Sequence, residues 1–141
     1  MKQITFLILP IVLTISIFLN SCERVVQTRY AIYIDNNSNH EIRFYFDGLI
    51  RAHNYPDTIL PTSIPPMVPI EAGKRFYQYS SISWEKTFLE FPSDTLSLYV
   101  FHPDTLDKYE WSVIREQYKV LKRYDLSIQD LQNSDFIISY P

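Results

Sequence analysis

Cys22 is the residue of this chain whose chemistry is most clearly marked by its neighbours. It is the single cysteine of the 141 residues, and it follows Leu19-Asn20-Ser21 at the end of an apolar N-terminal run. This order is that of a bacterial lipobox, in which a lipid alkylates the cysteine thiol and the preceding segment is cleaved. Because no other side chain of such a motif forms the thioether, the sequence predicts lipidation at Cys22.

The segment before Cys22 has the layout of a secretory signal. Lys2 supplies the positive start, and the apolar run Ile4–Leu19 is shorter than the roughly 20 residues that cross a hydrocarbon core. We therefore expect residues 1–21 to be a cleaved lipoprotein signal peptide, with an uncleaved transmembrane anchor as the alternative. Residues 22–28 are then the lipidated cysteine and its tether. Two or more acyl chains, such as palmitate, make anchoring to the membrane stable.

The residues after the cysteine indicate where the anchor is placed. Glu23 stands where some bacteria use aspartate to retain lipoproteins in the inner membrane, so the outer membrane is the expected location. Arg24 follows at once, and the pair is only a fragment of the acidic run that marks surface export in some bacteria. The periplasmic and the surface orientation both stay open.

The remaining residues, 29–141, have the length of one globular domain. Loss of Lys2 with the signal changes the formal net charge from −3 to −4, and an acidic protein lacks the cations that neutralise nucleic-acid phosphates. With Cys22 acylated, no thiol is left for a disulfide, a nucleophile or a metal. The two glycines, Gly48 and Gly73, are too few for a phosphate-binding loop. We therefore expect no nucleic-acid partner and no cofactor.

The histidines and carboxylates do not form a recognisable catalytic pattern. His40, His53 and His102 lack the short spacing of a zinc-binding helix, so we predict no metal site and expect solvent-facing loop histidines. No serine has the flanking glycines of a nucleophile elbow. Carboxylates near the two tryptophans could form a glycosidase pair, which keeps a small hydrolase as the third hypothesis. These carboxylates are Glu85, Glu90, Asp94 and Glu110.

The aromatic residues suggest a more specific binding hypothesis. The chain has 11 Tyr, 9 Phe and 2 Trp, more than a small core needs, and rings exposed on a sheet can stack on sugars or on peptide partners. The candidate ligand-binding aromatics are Trp84, Trp111, Tyr77 and Tyr79. The alternative is that most of the rings are core residues or cross-strand pairs.

Alternating apolar residues and turn signals predict about six short strands. They are Arg29–Asp35, Glu41–Asp47, Arg75–Tyr79, Thr95–His102, Lys119–Leu126 and Phe136–Tyr140. The turn Asn36-Asn37-Ser38-Asn39 is expected to join the first two strands in a β-hairpin. Residues 55–69, with five prolines, are expected to be an extended loop.

Two or three short helices accompany these strands. One is predicted from Ser83 to about Phe91, one within Asp104–Tyr118, and one after Ser127-Ile128-Gln129-Asp130, a variant of the capping box. The whole pattern predicts a mainly β fold, a single β-sandwich-like domain. An α+β fold is the alternative.

Short segments give the chain a resemblance to a known group. They are the lipobox, Tyr33–Ser38 (Tyr-Ile-Asp-Asn-Asn-Ser), Tyr55–Thr58 (Tyr-Pro-Asp-Thr), and Arg123–Ser127 with Asp130, Leu131, Tyr140 and Pro141. They resemble the small uncharacterised lipoproteins of the Bacteroidetes type, whose domain has no known function. The resemblance implies an envelope location and assigns no activity and no functional residue.

The leading hypothesis is a lipid-anchored, non-enzymatic envelope lipoprotein that binds a partner or has a structural role. Its partners are then the membrane, through the lipid, and an envelope protein or a glycan. The alternative is a carbohydrate-binding surface lipoprotein. An exposed aromatic strip on a flat sheet would favour carbohydrate, whereas a deep cleft with facing carboxylates would favour an enzyme.

Overall fold

The computed structural model describes residues 29–47 and 56–141. The described strands are β1 (Tyr30–Asn36), β2 (Ile42–Asp47), β3 (Val68–Ile70), β4 (Arg75–Ser80), β5 (Thr95–Phe101), β6 (Lys122–Ser127) and β7 (Ile137–Tyr140). The described helices are α1 (Trp84–Phe88), α2 (Pro103–Lys108), α3 (Trp111–Glu116) and α4 (Ile128–Asn133), with a 3₁₀ turn at Pro92–Asp94. In this part of the chain, no helix has the length and apolar character needed to span a membrane.

The strands form two sheets that pack together, which confirms the predicted mainly β, sandwich-like fold. In the three-stranded sheet, β1 lies between β4, which runs antiparallel to it, and β7, which runs parallel to it. The four-stranded sheet has the order β3-β2-β5-β6 and is antiparallel throughout. The short helices lie in the connections between strands.

The strand β3 lies in the segment that was predicted to be a loop. Val68–Ile70 pairs with Ile42–Phe44 at the edge of the four-stranded sheet, so that Pro69 stands opposite Arg43. Proline cannot donate a ladder hydrogen bond and is therefore confined to edge strands. This edge position is why a proline-containing segment forms a strand here, against the sequence-based expectation.

The predicted β-hairpin between the first two strands is wrong. The strands β1 and β2 are present, but they belong to different sheets. Asn36 is buried at the corner between them, and its side-chain nitrogen Nδ2 donates to the carbonyl oxygens of His40 at 2.8 Å and Ile70 at 3.0 Å. The asparagine thus ties the corner to the end of β3, and the chain crosses from one sheet to the other.

The main hydrophobic core lies between the two sheets. Alternate residues of each strand point into it, as the period of two in a strand requires. The fully buried members from the central strands are Ile32, Ile34, Ile42, Phe44, Leu96, Leu98 and Val100. Burial of a side chain of this size contributes about 1.5–3 kcal/mol to stability, so this alternation fixes which faces of the strands are outward.

A second apolar cluster covers the outer face of the four-stranded sheet. Tyr45, Tyr99 and Phe101 pack there against Leu60 and Ile114, which come from the proline-rich segment and from α3. This cluster explains why all seven residues of β5 are buried, since its two faces meet different cores. The three-stranded sheet is the outer layer of the described part of the molecule on the opposite side.

The helix boundaries follow the predicted signals in part. The capping box is confirmed at α4, where the hydroxyl of Ser127 accepts from the amide of Asp130 and the Asp130 carboxylate accepts from the amide of Ser127. At α1, Ser83 is the N-cap residue but its side chain makes no cap hydrogen bond. The helix predicted within Asp104–Tyr118 is divided into α2 and α3.

Candidate functional site

The outer face of the three-stranded sheet carries a row of tyrosines. Arg75, Tyr77 and Tyr79 alternate with inward residues along β4, and they stand opposite Asp35, Tyr33 and Ala31 of β1. We call the surface formed by Tyr33, Tyr77 and Tyr79, with the flanking Arg29, Asp35 and Arg75, the tyrosine face. Tyr77 and Tyr79 are 47% and 52% exposed, so this surface is open to solvent.

The turn before β4 determines how the residues of the tyrosine face are aligned between β4 and β1. Gly73 has a φ of 68°, a left-handed conformation that glycine adopts without a steric penalty. Its amide donates to the carbonyl oxygen of Asn36 at 2.8 Å, and the amide of Asn36 donates to the carbonyl oxygen of Lys74 at 2.9 Å. These two bonds fix the register in which Arg75 stands opposite Asp35.

The rings of the tyrosine face are held in a regular arrangement. The ring centroids of Tyr77 and Tyr79 are 6.1 Å apart and their planes are within 5° of parallel. The ring of Tyr33 meets that of Tyr77 edge-on, with centroids 5.5 Å apart. Ala31 is the small residue opposite Tyr79. The rings therefore support one another along and across the strands.

Charged groups flank this aromatic surface at both ends. The guanidinium of Arg75 makes a bidentate pair with Asp35, with Nη2 2.6 Å from Oδ2, and lies 5.2 Å from the ring centroid of Tyr33. The hydrogen bond from Arg75 lowers the pKa of the Asp35 carboxyl. At the other end, the guanidinium of Arg29 lies 5.8 Å from the ring centroid of Tyr79. Planar hydrogen-bonding groups therefore lie next to the aromatic rings at both ends of one surface.

The four candidate aromatics do not lie together. Tyr77 and Tyr79 are on the tyrosine face, but Trp84 is only 2% exposed and belongs to the core between the sheets. Trp111 is half-buried in the second cluster, and its indole nitrogen donates to the carbonyl oxygen of Pro61 at 2.9 Å. Tyr33 was not among the predicted residues, because the predicted β-hairpin paired β1 with β2 and not with β4, the strand that brings Tyr33 to Tyr77.

Two histidines meet although they are far apart in the sequence. The ring centroids of His40 and His102 are 4.7 Å apart, and both side chains are half-buried rather than fully solvent-facing. The Nδ1 atom of His102 accepts from the amide of Asp104 at 3.2 Å and so caps α2. His53 lies outside the described residues. In residues 29–47 and 56–141, no group of three or more potential metal-ligating side chains occurs.

Within the described part of the chain, the carboxyl groups whose pKa is shifted have a lowered pKa. Asp35 is stabilised as an anion by Arg75, Glu85 by a backbone hydrogen bond at the start of α1, and Asp130 by the Ser127 hydroxyl. A carboxyl that acts as a general acid in sugar hydrolysis has a raised pKa. These three groups are therefore suited to structural and binding roles.

A cleft opens between the two sheets beside β3 and β4. It has a volume of about 760 Å³ and arises because β3 begins only at Val68, opposite Phe44, so that β3 does not pair with the rest of β2. The four-stranded sheet contributes Phe44, Phe46 and Val68, α1 contributes Trp84, and β4 contributes Gln78 and Ser80. We call this feature the sheet-edge cleft. Its size is within the range of small-molecule sites.

Comparison with known proteins gives no match. No family model, no curated protein and no solved structure matches the chain.

Proposed function

We propose that this protein is a lipid-anchored, non-enzymatic binding module of the cell envelope, and that the tyrosine face binds carbohydrate. The observation that carries this proposal is the exposed, parallel pair Tyr77 and Tyr79 on the outer face of a sheet, with guanidinium groups at both ends. The outward position of these rings is unusual, because large aromatic side chains are normally used to fill cores.

The chemistry of a pyranose fits this surface. One side of the sugar ring is a patch of C–H groups that packs on an aromatic face, while its rim carries hydroxyls that need planar donors and acceptors. The tyrosines supply the aromatic faces. Arg75 and Asp35 supply a donor and an acceptor beside Tyr33, and Arg29 supplies a second donor group beside Tyr79. The surface therefore offers both kinds of contact within one short row.

The proposed lipid anchor would keep the domain close to ligands of the cell envelope. Cys22 is seven residues before Arg29, which is the first described residue. An extended chain spans at most about 3.3–3.6 Å per residue, so the domain stays within about 25 Å of the lipid head groups. Glycans that lie close to a membrane are thus within reach of the tyrosine face.

A protein partner is the second candidate. Tyrosine and arginine are enriched among the residues that dominate protein–protein binding, and both occur on the tyrosine face. Carbohydrate is the better fit because Arg75 is already paired with Asp35, so less of its charge is available to attract an acidic protein.

The first prediction concerns Tyr77. Replacement by alanine removes one stacking ring, which is worth about 0.5–1.5 kcal/mol, so binding of purified peptidoglycan or of neutral polysaccharides is expected to weaken by up to roughly tenfold. Sedimentation with the insoluble glycan, or affinity electrophoresis with a soluble one, measures this loss.

Tyr30→Ala is the matched control for this experiment. Tyr30 is an exposed tyrosine of β1 in the same sheet, and it alternates to the side opposite Ala31 and Tyr33. Binding should be unchanged in this variant. Failure of every polysaccharide to bind the wild-type protein, or equal binding by wild type and Tyr77→Ala, would contradict the carbohydrate proposal. Loss of a co-purifying envelope protein on Tyr77→Ala would favour the protein partner instead.

A further inference from the structure

We infer that the sheet-edge cleft binds one acyl chain of a zwitterionic membrane amphiphile. This site is distinct from the tyrosine face, because its lining comes mainly from the four-stranded sheet, the proline-rich segment, α1 and the inward residues of β4 rather than from the outer face of the three-stranded sheet. The residue Tyr79 stands at the boundary of the two sites, whereas Tyr77 belongs to the tyrosine face alone.

The deep part of the cleft is suited to hydrocarbon. Phe44 and Trp84 are buried residues of the core between the sheets, and Phe46 and Val68 pack against that core. An acyl chain that enters here transfers its methylenes from water to an apolar surface, at about 0.8 kcal/mol for each buried methylene. Two packed sheets lie roughly 10 Å apart, so a ligand between them has to be narrow. A single chain meets this condition better than a fused-ring ligand.

The lining of the cleft has groups of both charges. Among the described residues that line it, Asp47 and Glu90 carry carboxylates and Arg115 carries a guanidinium. The Nε atom of Arg115 donates to the carbonyl oxygen of Leu60 at 3.0 Å, which fixes the side chain in the lining of the cleft. A head group with an anionic and a cationic end complements this pattern: a phosphate suits Arg115 and an amine suits Glu90.

The mouth of the cleft lies where the chain enters the domain. Tyr30, the first residue of β1, pairs with Ser80, and Ser80 lines the cleft. If Cys22 is lipidated, as the proposed function holds, the short tether keeps this mouth close to the membrane from which an amphiphile comes. The ligand source is therefore the membrane in which the protein is anchored.

The two tryptophans provide a built-in test of the site. Trp84 lines the cleft, whereas Trp111 lies in the cluster on the other face of the four-stranded sheet. We would titrate the full-length Cys22→Ser protein with a lysophospholipid that carries bromine atoms in its acyl chain, below its critical micelle concentration. Bromine quenches indole fluorescence only in close contact. Trp111→Phe, which keeps Trp84, is expected to show saturable quenching, and Trp84→Phe, which keeps Trp111, is expected to show little.

A second pair of variants keeps the test independent of the tryptophans. Ile82 is 53% exposed at the cleft, and Leu89 is 78% exposed just after α1 but does not line the cleft. Ile82→Arg is expected to weaken lysophospholipid binding at least about tenfold, and Leu89→Arg is expected to leave it unchanged. Tyr77→Ala should also bind the lysophospholipid normally, which separates this site from carbohydrate binding.

Three results would overturn the inference. They are an absence of saturable quenching in Trp111→Phe, equal quenching of the two tryptophan variants, and equal affinities of Ile82→Arg and Leu89→Arg. If polysaccharides fail to bind while Trp84 is still quenched, the carbohydrate proposal is wrong and the inference about the sheet-edge cleft stands.

Discussion

The pair Asp35–Arg75 shows how single residues prepare the tyrosine face. The bidentate hydrogen bonds hold the guanidinium beside Tyr33 and hold the pKa of Asp35 below its ordinary value of 3.8. A carboxyl with a lowered pKa stabilises the folded state above its unfolded pKa, and this stabilisation is lost as the pH falls through the folded pKa. The pair is exposed to solvent in part, so its contribution is modest.

This linkage gives a prediction for Asp35→Asn. The substitution is expected to lower the melting temperature by no more than about 5 °C at pH 7. The difference from wild type should persist down to about pH 5 and disappear at pH values below the folded pKa of Asp35, because Asp35 is then protonated in wild type too. Thermal unfolding followed by circular dichroism between pH 2 and pH 7 measures it. A difference that stays constant through the acid range would show that the charge of Asp35 is not the cause.

At the residue scale, what could be predicted depended on local context. Tyr77 and Tyr79 could be selected because an alternating strand puts both on one face. The contact between His40 and His102 could not, since no local pattern reports which loops meet at the end of a sandwich. Trp84 was a candidate by residue type, but it is buried: together with Phe88, it is a residue by which α1 packs into the core.

At the scale of elements, the helix α4 is the one whose start was predicted with its mechanism. Ser127 and Asp130 satisfy each other's amides, and the helix then buries Leu131 completely. This helix connects β6 to β7, the strand that pairs with β1.

Ser127→Ala is therefore expected to be destabilising. Loss of a serine N-cap costs about 1 kcal/mol in the free energy of unfolding, which urea denaturation measures. Gln129→Ala, an exposed substitution in the same helix, should stay within about 0.5 kcal/mol of wild type. Equal stabilities of the two variants would mean that the capping hydrogen bonds do not support the helix.

The strands themselves were predictable, but their pairing was not. Six of the seven follow from alternation and turn residues, and their bounds differ from the expected ones by a few residues. Pairing depends on contacts between distant segments. The buried side-chain amide of Asn36 donates to the carbonyl oxygens of His40 and Ile70, and these bonds hold the corner at which the chain passes from β1 in one sheet to β2 in the other. The strand β3 could not be foreseen, because a proline is tolerated only after the sheet edge is known.

At the scale of the whole molecule, the fold class follows from composition and periodicity, while the proposed anchoring depends on Cys22. The prediction is that Cys22→Ser protein is released in soluble form while wild-type protein fractionates with membranes, because the thioether to the lipid is lost. Fractionation followed by immunoblotting measures the distribution. Retention of the variant in the membrane would indicate an uncleaved apolar segment instead of a lipid.

Protease treatment of intact cells then distinguishes the surface from the periplasmic orientation.

The parallel pairing of β1 with β7 has a consequence for biosynthesis. The first described strand has one neighbour, β4, from the middle of the chain, and another, β7, from the C-terminal end, with Asn36 beside Tyr140. Contacts between such distant residues cannot form until nearly all of the polypeptide has emerged. If the chain is exported from its N-terminus, as the proposed function implies, it would therefore stay unfolded while it passes through a translocation channel. Folding would be completed on the far side of the membrane.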